Sequence, residues 1–253
     1  MSDVTLDVDG HVAVVEMHRP PANFFDRVLL QEVADAAEQA QSSGTRAIVL
    51  CSEGKHFCAG ASLGDQTGQL DPRAAAALVY EQGRRLFALE VPVVAAVQGA
   101  AVGGGLGLAC AADFRVASSA TRFEANFSRL GFHHGFALSV TLPRLVGAAY
   151  AELMLTTGRR VLGEEAHRVG LVQQLAPEGA ERETAVQLAR EIAAAAPLAV
   201  RSIRATLRAG LVDEITRALD HELGEQEWLW RTEDCATGIT SSLERTDPVF
   251  IGR

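Results

Sequence analysis

From Val91 to Ala112 no residue carries a charge. This run limits the possible folds more than any other feature of the chain. It is long enough to cross a bilayer as a single helix. Its composition argues against that: Pro92, Gly99, Gly103, Gly104, Gly105 and Gly107 all fall inside it. Glycine is entropically costly in a helix, and proline lacks the N–H that a helix interior needs. A buried strand over Val91–Val97, a turn across Gly99–Gly105 and a Gly-rich helix start account for the run better.

Around this centre, strands and helices alternate. Residues 3–8 and 11–17 read as a strand pair about Asp9-Gly10, a strong hairpin signal. In the second strand Ala13, Val15 and Met17 face one way, and Val12, Val14 and Glu16 the other. Both sides are largely apolar, so the alternation leaves the buried side open. Arg19-Pro20-Pro21 ends the strand. Residues 26–41 read as a helix through Leu29, Val33, Ala36 and Ala40. Thr45–Cys51 is an apolar strand, followed by a polar, Gly-containing loop over 52–70. Asp71 is expected to cap a helix running to about Leu89. Phe114–Ala117 is a short strand. After Ala137 the pattern is mostly helical, with Ile215, Leu219 and Leu223 repeating by four. The fold class is α/β: one body over 1–195 with a helical C-terminal extension over 196–253.

Composition excludes several functions. With 253 residues and 48% hydrophobic content, the chain is too apolar for disorder. A net charge of -9 argues against nucleic acid and against anionic lipid as partners. The N-terminal residues are acidic where a signal peptide is basic. Cys51, Cys58, Cys110 and Cys235 form no Cys-x-x-Cys pair, so reduced thiols in a cytoplasmic protein are expected. The histidines show no metal-ligand spacing, and no metal is expected.

Two loops carry the chemistry. One is His56-Phe57-Cys58-Ala59-Gly60-Ala61-Ser62-Leu63. The other is Gln98-Gly99-Ala100-Ala101-Val102-Gly103-Gly104-Gly105. Each follows a buried strand with small residues, which let a ligand approach bare backbone N–H groups. A helix starting at the triple glycine would aim its N-terminal N–H groups at an anion. Taken singly, each loop is also consistent with a tight structural turn.

Together the loops resemble one family. Phe-Cys-Ala-Gly-Ala, then Pro-Val-Val-Ala-Ala-Val-Gln-Gly-Ala-Ala-Val-Gly-Gly-Gly, then Ala-Ala-Asp-Phe-Arg-Val-Ala is similar to the crotonase (enoyl-CoA hydratase/isomerase) superfamily. Leu142-Pro143-Arg144-Leu145-Val146-Gly147, Thr157-Gly158-Arg159 and Pro248-Val249-Phe250 extend the match in order along nearly the whole chain. The resemblance implies a crotonase-like ββα spiral core, assembly as a homotrimer or dimer of trimers, and an acyl-CoA substrate without a further cofactor. It implies that the N–H groups of Ala61 and Gly104 hold the thioester oxygen. It also implies coenzyme A contacts near Ala59, Gly60, Ser62 and Leu63; the phosphates of coenzyme A want cations, for which Arg27, Arg19 and Arg253 are the candidates.

The chain departs from the family where acid and base are expected. Hydratases of the family carry two glutamates; the matching positions here are Gly107 and Phe127. A third acidic position of some members matches Gly135, and Ser62 stands in place of the usual Asp. His134 is the remaining acid/base candidate, since histidine titrates near neutral pH and a family decarboxylase has a tyrosine nearby; a surface His-His-Gly turn is the alternative. Glu124, Tyr80, Arg84 and Cys58 read as structural or solvated residues, and Asp113 as structural. Three functions follow: a hydratase/isomerase-type enzyme with unusual acid/base groups, a decarboxylase- or hydrolase-like enzyme, and a noncatalytic acyl-CoA binder.

Overall fold

The computed structural model describes residues 2–62 and 71–253. In chain order the strands are β1 (Val4–Asp9), β2 (Val12–Met17), β3 (Ala47–Ser52), β4 (Val93–Val97), β5 (Ala100–Val102), β6 (Phe114–Ser118), β7 (Arg122–Glu124), β8 (Arg160–Leu162) and β9 (Gln174–Ala176). The α-helices are α1 (Arg27–Ser42), α2 (Pro72–Ala88), α3 (Gly104–Ala111), α4 (Leu138–Val146), α5 (Ala148–Thr157), α6 (Gly163–Arg168), α7 (Glu181–Ala194), α8 (Pro197–Leu207), α9 (Leu211–Leu229) and α10 (Glu233–Glu244).

The larger sheet runs β1-β2-β3-β4-β6-β9. Only its first pair is antiparallel, the hairpin that places Asp9 opposite Val12 with Gly10 at φ 59. The remaining pairs are parallel. Parallel strands are joined by helices that cover both sheet faces, so the strands are apolar on both sides. This resolves the ambiguity of β2. Ala13, Val15 and Met17 pack with Leu29, Leu30 and Val33 of α1 and with Ile48 and Leu50 of β3. Val12 packs on the other face with Ala47, Val49 and Cys51 and with Ala185, Ala189 and Ala193 of α7.

A second, smaller sheet of order β5-β7-β8 was not expected from the sequence. Its strands have three residues each, too few for a period-two pattern to register. The capping expectation at Asp71 also needs correction. Asp71 makes no side-chain cap bond, and α2 begins instead with Pro72, whose missing N–H costs nothing in a first turn. A side-chain cap is found instead on α1, where Asp26 Oδ1 accepts from the Leu29 N–H at 2.9 Å.

Polar pairs fasten the C-terminal helices to the sheet. Asp113 accepts from the Val93 N–H at 2.8 Å and pairs with Arg204 and Arg208 at 3.0 Å each. The fully buried Arg115 guanidinium donates to the carbonyls of Leu171 (2.6 Å) and Ala112 (2.9 Å) and to Gln173 Oε1 (2.9 Å). Such complete pairing is what makes a buried charge tolerable. No described helix is long and apolar enough to cross a membrane.

Candidate active site

The site is assembled around Phe25. Its N–H donates to the Gly60 carbonyl at 3.0 Å, and its carbonyl accepts from the Ser62 N–H at 2.9 Å. This forms a parallel bridge between Phe25 and Ala61. In a parallel bridge the residue lying between the two bonded ones points its own N–H and C=O to the opposite side. The Ala61 N–H therefore faces away from Phe25, and it has no partner among the described residues. The Phe25 ring covers the second loop: a Cβ on Gly104 would lie 2.5 Å from Phe25 Cζ. Gly104 opens α3, so its N–H belongs to the turn that a helix leaves unsatisfied. The preceding Gly103 N–H is committed to the Glu124 carbonyl at 2.8 Å, whereas that of Gly104 has no partner among the described residues. Ala61 and Gly104 line one cavity of about 250 Å³.

Six aromatic rings line the cavity. Phe136 lies 5.7 Å from Phe25 and 6.4 Å from Tyr80, edge-on to the latter. Phe132 lies 5.7 Å from Phe127 and 6.3 Å from Trp230. Phe136 and Ala137 both adopt left-handed backbone, at φ 60 and 58. A Cβ on Gly107 would lie 2.4 Å from the Phe136 Cβ, so this residue fills the space above Gly107.

Few polar groups reach the cavity. Tyr80 Oη donates to Gln226 Oε1 at 2.8 Å, and Gln226 Nε2 donates to the His133 carbonyl at 3.0 Å. Burial pushes the Tyr80 hydroxyl well above the ordinary tyrosine value. The Asp26 carboxylate is committed elsewhere. Burial acts to raise its pKa, but the Leu29 N–H and Arg19, whose Nη1 lies 2.9 Å away, outweigh burial and hold it below the usual value.

The structure brings some sequence candidates together and separates others. Ala61, Gly104, Ser62 and Arg27 line the cavity. Ala59 and Gly60 hold the loop in place: the Ala59 N–H donates to the Ala22 carbonyl at 2.9 Å, and the Gly60 carbonyl binds Phe25. Leu63 lies outside the described residues. His134 faces away from the donors and lines a separate cleft with His133 and Ser139. Burial, reinforced by His133 and His221, lowers its pKa to about 4. The reason is local: His133 and His134 turn to one side of the segment, Gly135 and Phe136 to the other.

Arg19 is paired with Asp3 at 2.5 Å and with Asp26, Arg253 with Glu233 at 3.4 Å, and Glu124 with Arg160 at 3.3 Å. Burial pushes the Cys58 thiol up to about 12, which makes it a poor nucleophile. Tyr80 corrects the reading of its helix face as solvated. It is 6% exposed and lines the cavity, while Arg84 on the same helix pairs with Asp220. Sequence reasoning missed Phe136 and Gln226. The one available signal was the pairing of small residues with large: glycine at 107 and 135 leaves room for Phe136 and for the Tyr80 hydroxyl.

The enoyl-CoA hydratase/isomerase family model matches residues 7–253. A probable enoyl-CoA hydratase of Bacillus subtilis (strain 168) is 34% identical over 258 residues, covering 100% of this chain and 100% of its own. A short-chain-enoyl-CoA hydratase of Clostridium acetobutylicum is 33% identical over 250 residues, covering 97% of this chain and 96% of its own. The crystal structure of an enoyl-CoA hydratase/isomerase from Pseudoalteromonas atlantica T6c superposes with a TM-score of 0.88 at 25% identity, covering 98% of this chain and 100% of its own.

Proposed function

Because the chain belongs to the enoyl-CoA hydratase/isomerase family and is an acyl-CoA enzyme of that family, we propose that its Ala61 and Gly104 N–H groups hold the thioester oxygen and stabilise an enolate formed there. One observation carries this reading: two backbone N–H groups without partners among the described residues belong to residues that line one cavity beside Phe25. Preorganised donors aimed at a developing oxyanion act strongly in a site that excludes water, and loss of one costs about 10²–10³ in rate. Coenzyme A enters as part of the substrate, and no separate cofactor is proposed. Ser62 and Arg27, which line the same cavity, are proposed to contact coenzyme A. Assembly as a homotrimer or dimer of trimers belongs to the same reading.

The proton chemistry differs from that of a two-glutamate hydratase. Gly107 and Phe127 stand at the two glutamate positions, and Phe136 fills the space over Gly107. Among the described residues the only carboxylate lining the cavity is Asp26, which is tied to Leu29 and Arg19. Water addition requires a base for the water and an acid for the α-carbon, each worth about 10²–10⁴-fold. The enzyme is therefore proposed to hydrate crotonyl-CoA orders of magnitude more slowly than a two-glutamate relative.

The same observation favours a second reading, a decarboxylase-like reaction. When a carboxylate on the α-carbon leaves as carbon dioxide, the electron pair of the broken C–C bond passes into the thioester as an enolate. No protein base is needed to start that step. The apolar wall favours the delocalised enolate over the localised carboxylate.

Turnover of crotonyl-CoA and of methylmalonyl-CoA, measured side by side, tests both readings. The expected result is slow hydration with the α-carboxylated thioester turned over faster. Hydration at the rate of a two-glutamate relative would overturn the proton chemistry. Failure to bind any CoA thioester would overturn the site itself.

A further inference from the structure

The cavity that holds the two donors ends at a partition. His133 and His134 face a wider cleft of about 680 Å³, whereas Gly135 and Phe136 face the donor cavity. Phe132 lines both. The segment from Phe132 to Phe136 is thus a wall shared by the smaller space and the larger one.

Two buried residues of α9, one turn apart, hold this wall. Glu222 has no exposed surface and accepts three hydrogen bonds: from the Ala137 N–H at 2.8 Å, the Ser139 N–H at 3.1 Å and the Ser139 hydroxyl at 2.5 Å. It thereby caps the N-terminus of α4 from outside that helix. It also fixes the left-handed turn that directs the Phe136 ring over Gly107. Gln226 binds the other end of the segment, through the His133 carbonyl, and joins it to Tyr80 on α2. A Cβ at 135 would lie 2.0 Å from Tyr80 Oη, so a larger residue there would displace that hydroxyl. Each bond ties the partition to an element outside it, so this side of the small cavity is set by tertiary contacts.

We infer that Glu222 and Gln226 are positioning residues that keep this partition shut, and that the enzyme consequently takes short acyl groups, with longer chains excluded from the cleft beyond. The inference rests on the reading that Ala61 and Gly104 hold the thioester carbonyl, which places the acyl group against Phe136. Glu222 stands behind the wall, whereas Gln226 lines the cavity itself and reaches Tyr80. Their role is to set where Phe136 and Gly135 stand.

The test is calorimetric titration of the full-length protein with butanoyl-, octanoyl- and dodecanoyl-CoA, saturated thioesters with no double bond to hydrate. The wild type is expected to prefer butanoyl- over dodecanoyl-CoA by about tenfold or more, the discrimination a closed apolar pocket reaches. Glu222→Ala should reduce that ratio by about tenfold while leaving butanoyl-CoA affinity within about threefold, as expected when only the pocket end is changed. Gln226→Ala, which leaves the α4 cap intact, provides a second readout if Glu222→Ala does not fold. A residue that merely stabilised the fold would lower all three affinities together. Equal binding of the three thioesters by the wild type would overturn the inference alone, as would an unchanged ratio in the folded variants. Binding of none of the three would overturn the enolate-site reading and this inference with it.

Discussion

Phe136 occupies the space that any side chain on Gly107 would need: a Cβ built on Gly107 falls 2.4 Å from the Phe136 Cβ and 2.9 Å from its Cγ. The glycine and the ring are therefore a matched pair. Gly107 lies within α3, where alanine is ordinarily better by about 1 kcal/mol. Here overpacking reverses that preference. Gly107→Ala is expected to destabilise the protein by about 1–3 kcal/mol, and the added cost should largely disappear in a Phe136→Gly background, which removes the Cβ that the new methyl would meet at 2.4 Å. Urea unfolding of the four proteins in this cycle measures the coupling. Additive effects would show that the two positions do not compete for space.

Much of this arrangement was legible in the sequence, and the part that was not has a physical reason. The position of the two small-residue loops could be read because small residues after a buried strand are a local signal; the donor roles of Ala61 and Gly104 come from the family resemblance and are a proposal. The α/β alternation could be read because β3 and β4 are uniformly apolar. The wall of the cavity was not legible. Tyr80 meets Gln226 across 146 positions of sequence, and Glu222 meets Ala137 across 85. No periodicity encodes such pairings. His134 was drawn toward the site by its place beside Gly135. Which way each residue of an irregular segment turns depends on Glu222, on a helix far along the chain.

Glu222 also gives stability a specific pH dependence. Burial raises its pKa from the ordinary 4.5 to about 7, against the pull of the Ser139 and Ala137 groups that favour the charged form. A carboxyl raised in the folded state contributes stability fully below its unfolded value, and the contribution is lost as pH rises through about 7. Its size is roughly 3 kcal/mol. His134 acts in the opposite sense. Burial, with help from His133 and His221, lowers its pKa from 6.5 to about 4, so its contribution is present above 6.5 and lost as pH falls toward 4. His134 Nε2 lies 3.8 Å from Glu222 Oε1, so Glu222→Gln removes the first effect and also alters the surroundings of His134. The stability of the wild type relative to Glu222→Gln should therefore fall by about 2–3 kcal/mol between about pH 5 and pH 8. A difference constant with pH would contradict the assignment.

The C-terminal helices leave apolar side chains uncovered in the single chain. Leu198 and Leu207 of α8 are 79% and 81% exposed, and Leu243 of α10 is 73% exposed. Trp230 packs against Phe132, whereas Trp228 stays at the surface, its indole N–H donating to Glu225 at 2.9 Å. Apolar surface of this kind is characteristic of an interface. On the proposal of a closed homotrimer, Leu198→Glu combined with Leu207→Glu should shift the species seen by light scattering from trimer or hexamer toward monomer. A wild type that is monomeric at micromolar concentration would rule the trimer out.

The central claim concerns the oxygen between Ala61 and Gly104, and isotope-edited infrared spectroscopy observes it directly. Butanoyl-CoA labelled at the thioester carbonyl is bound to the wild type and to Ala61→Pro, a variant that lacks one N–H outright. Two hydrogen bonds polarise the C=O bond and lower its stretching frequency. The bound carbonyl is expected to absorb below the free thioester in the wild type, with a smaller shift in Ala61→Pro. A carbonyl that binds with its free-solution frequency unchanged, or with the same shift in both proteins, would show that these amides do not hold it.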